Sequence, residues 1–137
     1  MVEREILMEK ATTIDRCLER IAQVRKQEGL ERLDVEEIVL LNLQRAIQAA
    51  LDMAQHVVTS ERWGIPDSLA GTFDILGQRG VLPPELAARL RGMIGFRNVI
   101  VHEYRELDPR ILERVLAKHL DDLRGFVKHV VARFAPR

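Results

Sequence analysis

The chain has 137 residues, of which 47% are hydrophobic and 4% aromatic, and its 21 basic and 21 acidic residues cancel to a formal net charge of zero. That size gives one domain with enough apolar content for a real core, which excludes a disordered chain. Zero net charge excludes a protein that coats nucleic acid by charge alone, because such binding needs many phosphate contacts, but it leaves room for a small cleft that grips one phosphate.

In chain order, residues 2 to about 28 read as one long helix. Leu7, Ala11, Ile14, Leu18 and Ile21 follow the three-and-four spacing of a buried stripe, and Gly29 is a plausible stop. Cys17, beside the stripe, reads as a packed small residue. It is the only cysteine, so there is no intramolecular disulfide and no cysteine-based zinc site. Asp34 looks like an N-cap, with Glu37 completing a capping box, and the second helix would run from Val35 to about Ser60. Its core face is Val35, Val39, Leu43, Ala46, Ala50, Ala54 and Val57. A second row on it is polar: Asn42, Arg45, Gln48 or Ala49, Asp52 and His56. This row reads either as a solvated face or as the wall of a cleft, in which Arg45 and Asp52 would bind substrate or orient reacting groups.

Glu61 to Asp67 is a turn segment, with Asp67 or Ser68 capping a short third helix that turns Phe73, Ile75 and Leu76 inward. Trp63 reads as a cover for the core or a partner surface. Gly77 to Pro84 is a loop with Gly80 as a stop, and Pro83-Pro84 opens a fourth helix that runs to about His102. Leu86, Leu90, Met93, Ile94, Val99 and Ile100 supply its apolar contacts, while Gly92 and Gly95 permit close packing, against the same helix of a second copy among other partners. Asp108-Pro109 starts a last helix with a seam of Leu112, Leu116, His119, Leu123, Phe126, Val130 and Phe134. His119 is expected to be a hydrogen-bonded histidine at the core edge, and His129 lies on the surface. The whole, residues 1–137, reads as a single all-α domain, an up-and-down bundle of about five helices. No run approaches the roughly 18 apolar residues of a membrane span, and Met1-Val2-Glu3-Arg4-Glu5 lacks a signal-peptide layout, so a cytoplasmic protein is expected.

One stretch gathers chemistry: Phe96-Arg97-Asn98-Val99-Ile100-Val101-His102-Glu103-Tyr104. On a continuous helix Arg97 and His102 are about 140° apart, whereas Asn98 and His102 share a face. His102 and Tyr104 align only if the chain is extended. The helix is therefore expected to end near His102 and the chain to straighten through Tyr104. Arg97, His102 and Tyr104 then meet at one pocket, or two such ends meet across a dimer axis. Histidine titrates near neutral pH and moves protons, and a guanidinium stays charged and grips phosphate oxygens in a fork. On spacing alone Arg97 and His102 read as cations that serve the helix C-terminus, where positive charge is favoured, and the same pair also suits cleavage of RNA without a metal, since RNA carries its own nucleophile, the 2′-hydroxyl. Glu103 follows His102, but no second histidine completes an H-E-x-x-H pattern, and neither a metal nor another cofactor is expected.

Arg97, four residues, His102, one residue and Tyr104 resemble the R-x4-H-x-Y motif of HEPN-domain ribonucleases. Phe96-Arg97-Asn98 and Val101-His102 look like the HepT branch, toxins paired with minimal nucleotidyltransferase antitoxins. The run from Arg45 to Ala54 looks like that family's second helix. The resemblance implies a HEPN-like homodimer and a metal-independent endoribonuclease acting on RNA, with Arg97 and His102 catalytic and Asn98 supporting them. It also implies a cognate nucleotidyltransferase that inactivates the toxin by transferring AMP to Tyr104. The alternative it leaves open is a HEPN subunit without catalysis, which binds nucleotide or partner for a nucleotidyltransferase.

Overall fold

The computed structural model describes residues 1–103 and 108–136, with the backbone alone for 101–103. Tyr104 and the side chain of His102 lie outside the described residues. The elements are α1 (Arg4–Lys26), α2 (Arg32–Ser60), α3 (Gly71–Gln78), α4 (Pro84–Glu103) and α5 (Pro109–Phe134), with no strand among the described residues. No described helix is long and apolar enough to cross a membrane.

The stripe on α1 is buried as its spacing requires, with Leu7, Ile14, Ile21 and Val24 fully enclosed. It lies along Leu43, Ala46, Ala50, Ala54 and Val57 of α2, whose small residues let the two helices approach. The short connection between them forces an antiparallel pair. The ends agree: the Glu3 N–H, at the start of α1, donates to Nε2 of His56 in the last turns of α2 (2.9 Å). His56 thus serves as a cap for α1. At the opposite end, Arg25 of α1 pairs with Glu113 of α5 at 2.8 Å. Arg89 of α4 binds Asp122 of α5, and Phe126 of α5 meets Phe73 of α3 edge to face with ring centroids 5.7 Å apart. Both rings are fully buried, so α5 closes the core that α1 to α4 leave open.

Helix ends explain how the chain turns. After α3, Gly80 takes φ +74°, its N–H bonds to the Gly77 carbonyl, and the Val81 N–H bonds to the Leu76 carbonyl at 2.9 Å. This paired closure needs a left-handed residue, and glycine supplies it without steric cost. α2 ends the same way, with the Trp63 N–H on the Val58 carbonyl, but the left-handed position is held by Arg62 at φ +57°. The closure turns Trp63 back over the bundle, where its ring meets Phe134 edge to face and lies beneath the guanidinium groups of Arg79 and Arg133. α5 begins as expected: Asp108 accepts from the Arg110 N–H at 2.9 Å and Pro109 occupies the first turn.

Three expectations are corrected. α2 starts at Arg32, not Val35, with Glu31 at the cap position and no side-chain cap from Asp34. The helix propagates back one turn because the Val35 N–H reaches the Glu31 carbonyl and Arg32 pairs with Glu36 four residues on, while Asp34 still suits the positive end of the helix. α3 starts at Gly71 and runs to Gln78, so it takes in the beginning of the stretch read as loop; of the two expected capping residues it is Ser68 whose hydroxyl receives the Gly71 N–H, at 3.0 Å. His119 does sit half-buried at the core edge, but its Nδ1 stops 3.4 Å from Asp122 and is left without a hydrogen bond among the described residues. Asp122 is turned to Arg89 instead.

Candidate functional site

α4 carries the motif. Pro83 opens it, its carbonyl accepting the Ala87 N–H, and Leu86, Leu90, Met93, Ile94 and Ile100 hold one side against the core. Helical backbone runs without a break through Arg97, Asn98 and His102 to Glu103, a residue beyond the expected end. Arg97 and His102 therefore sit on different faces of one helix, with the position of His102 one turn after Asn98. The expected straightening through Tyr104 falls outside the described residues.

Arg97 is half-buried and turned toward α2. Its Nη2 donates to Oε1 of Gln48 at 2.7 Å, and its Nη1 lies 3.4 Å from Oδ1 of Asn98. The Nε of Arg97 is buried without a partner among the described residues. Gln48 in turn donates from Nε2 to Oδ1 of Asp52 at 2.9 Å, and Oδ2 of Asp52 lies 3.4 Å from Nζ of Lys10 on α1. The polar row on α2 is therefore neither fully solvated nor uniformly a wall. Its middle, Gln48 and Asp52, serves Arg97. Asn42 is buried and bonds its own helix at the Ile38 carbonyl, and His56 caps α1. Arg45 is exposed, two turns from Asp52 on the same row, beside Cys17 of α1, and is not among the side chains bonded to Arg97. Burial pushes the Cys17 thiol above its ordinary pKa, and the Arg45 charge opposes this only in part.

Spacing made Gln48 and Asp52 visible, since residues four apart share a helix face. Lys10 carried no such signal; it joins through the register of α1 on α2, which packing decides.

On the other side of α4, a shallow groove of about 560 Å³ runs between the α3 lead-in, Ser68 to Ala70, and Ala88, Arg91, Gly92, Gly95 and Asn98. A methyl group added at Gly92 or Gly95 would meet nothing within 4 Å, so no contact within the chain requires glycine at either place. A smaller hollow of about 300 Å³ lies where Ile100 meets Leu40, Leu41 and Gln44 of α2. Among the described residues no three His, Cys, Asp or Glu side chains converge to hold a metal.

Chemically, the arrangement presents a half-buried guanidinium held by Gln48, in no ion pair among the described residues, on the helix that carries the position of a histidine. A phosphate diester is the ligand such a fork fits.

A family model described as ribonuclease HepT-like matches residues 12–130. The chain is 35% identical over 130 residues to the mRNA nuclease HepT of Shewanella oneidensis, covering 93% of this chain and 98% of that one. It is 26% identical over 113 residues to the tRNA nuclease HepT of Aphanizomenon flos-aquae, covering 82% and 77%. Among solved structures it superposes, with a TM-score of 0.87 and 34% identity over 95% of this chain and 99% of the other, on the tri-AMPylated Shewanella oneidensis HEPN toxin in complex with its MNT antitoxin.

Proposed function

Because the chain belongs to the ribonuclease HepT-like family, we propose that residues 1–137 act as one HEPN-like domain, a cytoplasmic toxin that cleaves RNA without a metal and is silenced by a cognate nucleotidyltransferase antitoxin. The observation that carries this reading is Arg97: its guanidinium is held by a neutral amide, Gln48, and in no ion pair among the described residues, so its charge is available to a phosphate.

In the reaction the 2′-oxygen attacks phosphorus, the 5′-oxygen leaves, one proton is taken from the 2′-hydroxyl and one is given to the leaving oxygen. The products are a 2′,3′-cyclic phosphate and a free 5′-hydroxyl. Arg97 bears the charge that gathers on the equatorial oxygens, where a fixed cation contributes most. His102 moves a proton, and its unperturbed pKa of about 6.5 suits either direction. Asn98, on the face of α4 that also carries His102, orients the imidazole or a phosphate. One histidine cannot be base and acid in the same step, so two copies of the chain sharing a cleft complete the chemistry. The groove beside Gly92, Gly95 and Asn98 supports a homodimer through α4, because it ends at Asn98 and leaves space that the chain itself does not fill. Asp52 acts on the cleft through Gln48, and Arg45 lies at its margin, as a contact for the RNA strand.

Tyr104 is the acceptor for AMP. A phenol attacks the α-phosphate of ATP and releases pyrophosphate, and the adenylate left behind would bring bulk and negative charge to the cleft and keep RNA from Arg97. The relative found tri-AMPylated in complex with its antitoxin supports this regulation.

Inducing the wild type, Arg97→Ala and His102→Ala, each with and without the nucleotidyltransferase, tests the reading. Growth arrest and RNA decay with the wild type alone, relieved by the partner, are expected. Soluble wild type that neither arrests growth nor cleaves RNA, yet gains AMP, would make the chain a non-catalytic subunit instead.

A further inference from the structure

Lys10, Asp52, Gln48 and Arg97 form one polar line across α1, α2 and α4, with steps of 3.4, 2.9 and 2.7 Å. The line has a sense. A carboxylate only accepts hydrogen bonds, so Asp52 obliges the Gln48 amide to turn its NH₂ inward and its oxygen outward. The outward oxygen is the atom that Arg97 meets. Were the amide reversed, an NH₂ would face a guanidinium, two donors with no acceptor between them. The line also has a charge pattern. Asp52 lies beside Lys10 and is held off from Arg97 by a neutral group, so the negative charge nearest Arg97 in the line is already matched.

We infer that Gln48 is the positioning residue for Arg97, and that the Asp52–Lys10 pair sets the sense of its amide, so that the guanidinium is aimed while its charge stays intact for an RNA phosphate. This rests on the proposed role of Arg97 as the phosphate clamp. It explains why an amide, not a carboxylate, stands at position 48. A carboxylate there would lose the bond to Asp52, which only accepts, and would turn to Arg97 and pair with its charge, so that a phosphate would compete with an internal anion.

The test compares Gln48→Leu, Gln48→Glu and Asp52→Asn with the wild type, using kcat and KM on a labelled RNA oligonucleotide, thermal melting, and the Nε–H signal of Arg97 in NMR, assigned by its loss in Arg97→Lys. Gln48→Leu is expected to melt like the wild type, to lose the ordered Arg97 signal and to drop in kcat by about tenfold or more. Gln48→Glu is expected to keep the signal ordered yet cleave poorly, with a raised KM, a separation that a purely structural role would not produce. In Asp52→Asn two amides can match in either sense, so a few-fold loss with two Arg97 environments is expected. An unchanged Arg97 signal and kcat within about twofold in Gln48→Leu would overturn the inference. If the wild type cleaves no RNA, the clamp reading fails, but the NMR comparison still decides the positioning: signal lost in Gln48→Leu upholds it, signal retained overturns it.

Discussion

Replacing Gly92 and Gly95 together by alanine should stabilise the single chain and weaken its pairing with a second copy. Both glycines are helical, and a methyl at either place meets nothing within 4 Å in the chain. Alanine exceeds glycine in a helix interior by up to about 1 kcal/mol, so the two changes contribute up to about 2 kcal/mol, a factor of up to about 30 in the folding equilibrium. If α4 packs on α4 through the groove, each new methyl enters a contact shaped for hydrogen, where overpacking costs about 1–3 kcal/mol. A two-fold interface repeats each change on both sides. Urea unfolding of the dilute chain should show the gain, and sedimentation equilibrium should show a dimer dissociation constant raised by at least about tenfold. If the cleft is shared between two copies as proposed, RNA cleavage should fall in step with the dimer. A double variant that dimerises like the wild type would remove the groove from the interface. One whose monomer is no more stable would refute the argument about helical glycine.

Other substitutions test the fold that presents the site. Arg62→Gly should stabilise the protein by about 0.5–1 kcal/mol in chemical denaturation, since it relieves a left-handed arginine at the end of α2 and gives back part of the gain as backbone entropy. Phe126→Ala should cost about 3–5 kcal/mol, because the ring is fully buried and its edge-to-face partner Phe73 would be left against a cavity. Asp108 is held below its ordinary pKa by the hydrogen bonds from Arg110 at the start of α5. A carboxyl depressed in the folded state contributes stability above its unfolded pKa and loses it as pH falls through the folded value. The melting temperatures of wild type and Asp108→Ala should therefore differ at neutral pH and converge as acid takes the solution below the usual carboxylate range near 3.8.

Much of this architecture was legible because helical phase is a local property. The stripe from Leu7 to Ile21 is buried as its spacing requires, and Asp108-Pro109 marks the start of α5 without ambiguity. The start of α2 misled because Asp34 and Glu37 form a valid cap signal that the chain passes over: the helix gains an earlier turn through the Glu31 carbonyl and the Arg32–Glu36 pair. His119 falls on the seam as spacing dictates, yet its hydrogen bond fails because Asp122 is drawn to Arg89 on α4, a preference that no single-helix pattern records. The site divides the same way. Gln48 and Asp52 share a face of one helix and could be seen together, whereas Lys10 reaches them from a helix whose rotation only packing fixes. The roles of Arg97, His102 and Tyr104 were suggested by likeness to a motif, not by spacing, which keeps Arg97 and His102 on separate faces of α4.

Cys17, packed between helices and chemically reluctant, has a practical consequence. With the thiol pushed above its ordinary value of 9.0, less than about one in a hundred is thiolate at pH 7, and burial keeps reagents from that remainder. To a maleimide or a spin label the protein is nearly thiol-free. A cysteine placed at exposed Asn98 would be labelled almost alone, and dipolar coupling between two such labels would test whether two copies pair as proposed.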